Sequence, residues 1–298
     1  MDKHVKEIFG VNLFYMLIGI ALLAVGSLFQ ERNLIIGLLQ TELIVILLPS
    51  ILYMKIRKIS LKDIKVNRIK TKDILWVIIA TMLFYPIGLF LNVSFNFIIG
   101  FFIEFPLQST PIPQNLNEYL IYVPVISLSA GICEEVLFRG VIMKEYNRLG
   151  AMKSIVITAF LFGIFHFNLQ NLIGPIVLGI LFGYMVYKTN SLFAGIIGHA
   201  TNNLIALTLG YLVVAYTPDV TEEIPTITEP LQMLFPLIFW GMFAFICMQI
   251  LKKVIYKIGD EKEELIEPKI ELKELKKYVW SPIVIVIVTY ITIMVIVY

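Results

Sequence analysis

Apolar residues in this chain come in long uninterrupted blocks separated by short polar stretches, and the block length is the first informative quantity. A helix rises ~1.5 Å per residue and the hydrocarbon core of a bilayer is ~30 Å thick, so about 20 apolar residues make one crossing. Blocks of that order can be marked at residues 10–29, 34–54, 74–100, 118–143, 152–168, 171–188, 191–216, 230–251 and 279–298. The pattern predicts an all-α polytopic membrane protein with about eight to nine transmembrane helices and a conical or bundled core. The fifth and sixth blocks, around FNLQNLIGP, are the shortest and the least sharply bounded.

Composition agrees with the pattern. Of 298 residues, 58% are hydrophobic and 13% aromatic, and the mean hydropathy is +0.85, more apolar than a soluble domain of this length. No stretch separates as a soluble domain, so residues 1–298 read as one integral-membrane unit. The N-terminal MDKHVKEI and the apolar run from Val11 to Phe29 have the outline of a secretory signal. The run is long enough to span and lacks a small-x-small cleavage site, so a retained first helix is expected. A net charge of +2 gives no reason to expect a nucleic-acid partner. Cys133 and Cys247 both lie in apolar runs, which leaves no disulfide framework and no CxxC motif.

The placement of charge says more than its sum. With the N-terminus in the cytoplasm, inner segments hold Lys3 and Lys6, eight basic residues within 55–73, then Lys144, Arg148, Lys153 and Lys188, and eight more within 252–278. The outer loops carry Arg32 as their one basic residue, against Glu31, Glu104, Asp219, Glu222, Glu223 and Glu229. This is the asymmetry of the positive-inside rule, and it predicts a multi-pass protein of the plasma membrane. The charged cytoplasmic segments 55–73 and 252–278, the latter with KIELKELKKY, are expected to lie as helices on the membrane surface. GILFG (Gly179, Gly183) and AGIIG (Ala194, Gly198) are small-residue faces suited to close helix packing.

One block breaks the apolar rule. GICEEVLFRG, residues 131–140, places Glu134, Glu135 and Arg139 where lipid is expected, and each ionisable group at mid-membrane costs ~2.5–3.5 kcal/mol on insertion scales. Glu135 and Arg139 are four apart, in the order that favours a pair along one helix face. Glu134 has only Leu137 and Phe138 at those offsets, and an unpaired carboxylate out of bulk water is a stronger proton acceptor. Of three histidines, His166 and His199 lie in predicted spans, while His4 lies in the N-terminal segment. Phe162 with His166, and His199 with Asn203, share helix faces.

Measured from the inner helix ends, Glu134, His166, His199 and Asn203 fall at ~12 to 22 Å depth, so they are expected to line one internal cavity. A carboxylate, two imidazoles and an amide around water suit amide hydrolysis: the carboxylate and a histidine activate water, and His199 with Asn203 donate to the developing oxyanion. Other readings of the same residues are an ion pair that locks helices, a proton-coupled or ion transporter, and a cysteine mechanism through Cys133 with His199 and Asn203. Cys133 points about 100° away from Glu134 around the helix, which sets the last reading against the first.

EEVLFR fits EExxxR, FGIFH fits FxxxH and HATNN fits HxxxN; in that order on membrane helices, residues 118–210 resemble the CAAX prenyl protease and abortive-infection (CPBP) family of intramembrane endopeptidases. The resemblance implies a catalytic core at 118–210 and a cavity that opens to the cytoplasm. It implies that Glu134 and His166 activate water, that His199 and Asn203 form the oxyanion hole, and that Glu135, Arg139 and Phe162 support the site. Members are often labelled metalloproteases, and Glu134, His166 and His199 are the set that would hold zinc; with no HExxH in the sequence a metal-independent mechanism is favoured. The implied partners are membrane lipid and a lipidated or membrane-embedded peptide, with CAAX-type C-terminal processing as one form of the activity. A non-catalytic immunity or peptide-binding protein is the alternative within the same fold.

Overall fold

The computed structural model describes residues 3–103, 111–216, 231, 234–259 and 268–297. Each apolar block becomes a helical segment: α1 Lys3–Arg32, α2 Leu34–Arg57, α3 Thr71–Ile99, α4 Leu116–Leu149, α5 Ala151–Phe165, α6 Ile173–Thr189, α7 Leu192–Tyr216, α8 Leu234–Ile255 and α9 Lys277–Val297. Among the described residues there is no strand. The chain is thus an all-α, multi-pass integral-membrane protein, with large apolar side chains such as Leu28, Phe235, Met242 and Val295 facing outward toward lipid. Of the acidic outer residues, Glu104, Asp219, Glu222, Glu223 and Glu229 lie outside the described residues.

Seven of the segments are long and apolar enough to cross a membrane; α5 and α6 are not. With 15 residues in α5 and 17 in α6, they reach only ~22–26 Å at 1.5 Å per residue. They form a hairpin whose tip is held by α3: Asn92 and Asn96 both donate side-chain N–H groups to the Gln170 carbonyl, at 2.7 and 3.0 Å. α3 runs on past that tip, so the hairpin stops short of the end of the bundle. Phe167, with φ of +45°, turns the chain out of α5 immediately after His166.

The helix ends follow local rules. Asn33 and Asn115 cap α2 and α4, each accepting a backbone N–H three residues on at 3.0 Å. Lys58 and Asn190 adopt left-handed conformations that terminate α2 and α6. Two apolar clusters make the core. One joins α1, α2, α4, α5 and α9 through residues such as Ile8, Tyr15, Phe138 and Phe165. The other joins α3, α6, α7 and α8 through Val77, Phe182, Met185 and Leu251. The small-residue faces pack as expected: a Cβ on Gly179 would lie 2.9 Å from Ala159, and one on Gly183 3.1 Å from Ile155.

The two expected surface helices do not form. Residues 58–70 make turns that tuck Ile64 into the core, with a Ser60–Asp63 turn in which the Ser60 N–H and hydroxyl both donate to the Asp63 carboxylate. KIELKELKKY instead forms the short turns Leu272–Glu274 and the start of Lys277–Trp280, closed by a reciprocal Glu271–Glu274 capping box. Ile270, Leu275 and Val279 are buried there. A core that takes up apolar residues at these spacings, together with a local cap, overrides amphipathic periodicity. Residues 260–267 of the same segment lie outside the described residues.

All of these connections gather at one end. Lys3, Lys6, Arg57, Lys58 and Lys144 surround one surface depression. The Leu192 N–H bonds the Lys65 carbonyl, and the Lys269 and Ile270 N–H groups both bond the Arg148 carbonyl. The cationic segments predicted from the sequence therefore form one contiguous basic face.

Candidate active site

α4 carries Glu134 and Glu135 in Ala130–Glu135, bracketed by two wider π-helical turns, Val123–Ser129 and Val136–Ile142, the second of which holds Arg139. Such turns re-aim side chains at functional positions. Glu135 is fully buried, and its Oε1 accepts from Arg139 Nη1 at 2.6 Å. The Arg139 guanidinium lies over the Phe162 ring, 4.5 Å from its centroid, a cation–π contact strengthened by the dry surroundings. The same Glu135 oxygen lies 3.1 Å from His199 Nδ1. Because Glu135 pairs with Arg139 as a carboxylate, His199 Nδ1–H is the donor. Nε2 of His199 then presents a lone pair in the neutral ring and an N–H in the imidazolium.

His199 Nε2 faces Glu134 Oε2 at 3.9 Å, beyond hydrogen-bond length. Its ring stacks on Phe182 at 5.5 Å and meets Phe162 edge-on at 5.7 Å. His166 caps the C-terminus of α5. Its Nδ1 donates to the Phe162 carbonyl at 2.9 Å, which leaves Nε2 as the lone-pair nitrogen of the neutral ring. Phe162 thus touches both histidines and Arg139.

Asn203 donates one amide N–H to the Ile126 carbonyl at 3.1 Å and accepts from Asn202 at 3.2 Å. That is one of its two amide hydrogens. The donation ties α7 to α4, as does Ser127 Oγ donating to the Ala200 carbonyl at 2.7 Å. A Cβ on Gly131 would lie 3.1 Å from Ala200 N, so α4 and α7 touch backbone to backbone at this level.

A cavity of about 250 Å³ opens beside these residues, lined by Phe162, His166, His199, Asn202 and Asn203 among others from α3, α6 and α7. Glu134 is not among the lining residues and meets the cavity wall at His199. It approaches His199 from the α4 side, 12% exposed, with its Oε2 unpartnered. Cys133 is buried in the apolar cluster with Leu137 and Phe138 and does not line the cavity either.

Two groups were not anticipated. Glu42, buried in α2, brings its carboxyl within hydrogen-bonding reach of Glu134. A signal existed, since Glu42 is the sole acidic or basic residue in its apolar block. Asn202 lines the cavity next to Asn203; its neighbour in the motif drew the attention.

The mouth of the cavity lies away from the basic face. Its exposed lining residues, Asn171 and Ala206, sit on the hairpin tip and the outer half of α7, whereas Phe182 and His199 at its deep end are buried. Below them Leu181, Met185, Val186 and Ala194, none more than 4% exposed, close the bundle toward the basic face. Among the described residues no three His, Cys, Asp or Glu side chains are placed to hold a metal ion. Glu134, His166 and His199 in this arrangement do not fit a resident zinc.

Against this geometry, residues 116–205 match the family model described as Rce1-like, type II CAAX prenyl endopeptidase. The match spans α4 to the middle of α7, the helices that carry EEVLFR, FGIFH and HATNN, and covers less than a third of the chain; it is this core that is similar to that family. No curated protein and no solved structure matches the chain.

Proposed function

We propose, proceeding from the type II CAAX endopeptidase signature of the α4–α7 core, that this protein is an intramembrane peptidase that hydrolyses peptide bonds with a glutamate-activated water. The observation that carries the reading is the Glu135 bridge, one carboxylate that holds both Arg139 and His199 Nδ1. It fixes His199 with Nε2 toward Glu134 and stabilises the ring when it is charged. Glu134 takes the proton of a water that His166 Nε2 positions as acceptor. The hydroxide oxygen adds to the scissile carbonyl carbon, and the oxyanion accepts hydrogen bonds from charged His199 and the second amide N–H of Asn203. Collapse breaks the C–N bond, and the proton held by Glu134 passes to the leaving nitrogen. One water is consumed, giving one carboxylic acid and one amine. The mechanism needs no metal.

The test needs no known substrate. Protein termini in membrane fractions are compared between cells carrying the wild type and cells carrying Glu134→Ala at equal abundance. Termini present only with the wild type, and unchanged by a zinc chelator, are expected. Matching sets would overturn the peptidase reading, and loss of the termini on chelation would overturn the metal-free mechanism.

A further inference from the structure

We infer that the seam between α1 and α2 is a binding site for an anionic phospholipid of the leaflet at the basic end. The lipid phosphate sits in the basic depression and one acyl chain lies in an apolar groove farther along the same seam. The site uses no residue of the proposed catalytic set and does not depend on the peptidase reading.

The head-group end is built from three helices. Lys3 and Lys6 of α1, Arg57 and Lys58 at the end of α2, and Lys144 of α4 surround a depression of about 510 Å³, a size that takes a small ligand. The two carboxylates in its wall, Glu7 and Glu145, are both held from behind by Arg148, at 2.7 and 2.6 Å. Lys144 also pairs with Glu145, at 2.8 Å. Lys3, Lys6, Arg57 and Lys58 form no ion pair among the described residues. Four exposed cations thus converge on one hollow without an anion between them. Lys58 is placed there by a left-handed backbone, φ of +54°, which asparagine or glycine adopts at less cost. Ile56, in the same wall, is 79% exposed, so the hollow has an apolar lip as well as a charged floor.

The tail end lies on the same faces of the same helices. A groove of about 400 Å³ runs between Phe14, Leu17, Ile18 and Ala21 of α1 and Ile44 and Pro49 of α2. Lys3 and Phe14 are eleven residues apart, as are Lys6 and Leu17, which is about three helical turns. Ile56 and Pro49 are seven apart, about two turns. Each cationic or lip residue therefore stands above a groove residue. Phe14 stacks on Tyr53 at 4.3 Å and ties the two helices together between the two hollows. The near end of the groove is ~10–16 Å from the cations, inside the ~20 Å between head groups and the bilayer midplane. A phosphate at one level and a hydrocarbon chain at the next are the two parts of a phospholipid. Basic pockets between membrane helices take anionic head groups, whereas a choline head would set its own cation against four others.

The test uses the purified full chain in neutral detergent. Native mass spectrometry follows retention of phosphatidylglycerol, of phosphatidylcholine with the same acyl chains, and of inorganic phosphate. Phosphatidylglycerol is expected to be held at least tenfold more tightly than phosphatidylcholine, and an equal concentration of inorganic phosphate is expected not to displace it. Equal retention of the two lipids would overturn the inference, as would displacement by phosphate, which would mark a site for the free anion. Arg57→Gln with Lys58→Asn removes two cations and leaves a residue that tolerates the left-handed turn. It is expected to weaken phosphatidylglycerol binding by about tenfold or more without lowering the lipid-free melting temperature. Ala21→Leu fills the groove and is expected to weaken the same lipid with every cation in place. Unchanged retention in either variant would contradict the two-part site.

Discussion

Glu134 and Glu135 are adjacent in sequence and have opposite circumstances. A turn of about 100° between neighbours on a helix is enough to send one carboxylate to Arg139 and His199 and leave the other facing Glu42. Glu134→Gln keeps the shape and removes the base. We expect hydrolysis to fall by about 10²–10⁴-fold, the range for loss of a general base, with the folded protein recovered at wild-type yield in size-exclusion chromatography. Glu42→Gln removes a competing negative charge while keeping a hydrogen-bond donor toward Glu134. Hydrolysis is then expected to fall less than with Glu134→Gln, because the base itself is retained; an equal loss would show that Glu42 is as necessary to the reaction as Glu134. Glu134, Glu135, Arg139, His166 and His199 were legible because ionisable groups stand out in apolar blocks and fell into spaced motifs. Glu42 obeyed the first criterion but belonged to no motif, and its role depends on α2 packing against α4, a long-range contact that spacing does not encode.

At the scale of helices, the site depends on how closely α4, α6 and α7 approach. A Cβ at Gly195 would lie 2.5 Å from Glu135 Oε2 and 2.9 Å from Val186. Gly195→Ala is therefore expected to destabilise by about 1–3 kcal/mol, as overpacking does, and to lower activity by displacing Glu135 from His199. Arg139→Ala leaves Glu135 buried without its cation and should cost about 3–5 kcal/mol in thermal unfolding of the solubilised protein. The double variant Glu135→Leu with Arg139→Met is expected to recover most of that stability and none of the activity, because His199 Nδ1 loses its acceptor. Recovery of activity would show that the pair only holds the helices together. Block length and hydropathy announced every one of these helices, including the shortness of α5 and α6. They misjudged KIELKELKKY, whose apolar positions suit a surface helix as well as a set of buried anchors, and only the presence of a core to receive Ile270 and Val279 decides between them.

Over the whole molecule, the basic segments gather at one end of the helix bundle. Charge was readable from the sequence, since each basic segment falls at alternate helix ends. The mouth was not, because it depends on where the α5–α6 hairpin stops relative to α3 and on which side chains fill the bundle beneath His199. At the basic face, Arg148 joins Glu7 of α1 to Glu145 of α4, at 2.7 and 2.6 Å. Arg148→Met is expected to lower the melting temperature without altering the pH–rate profile, since the cluster lies at the end of the bundle away from the cavity. The most direct measurement of the central claim uses purified wild type and Glu134→Gln in nanodiscs, supplied with membrane proteins from cells lacking this chain, in heavy-oxygen water. The account predicts new C-termini with the wild type, each carrying one heavy oxygen from the attacking water, and none with Glu134→Gln. Equal labelling with both proteins, or no new termini from a folded wild type, would contradict it.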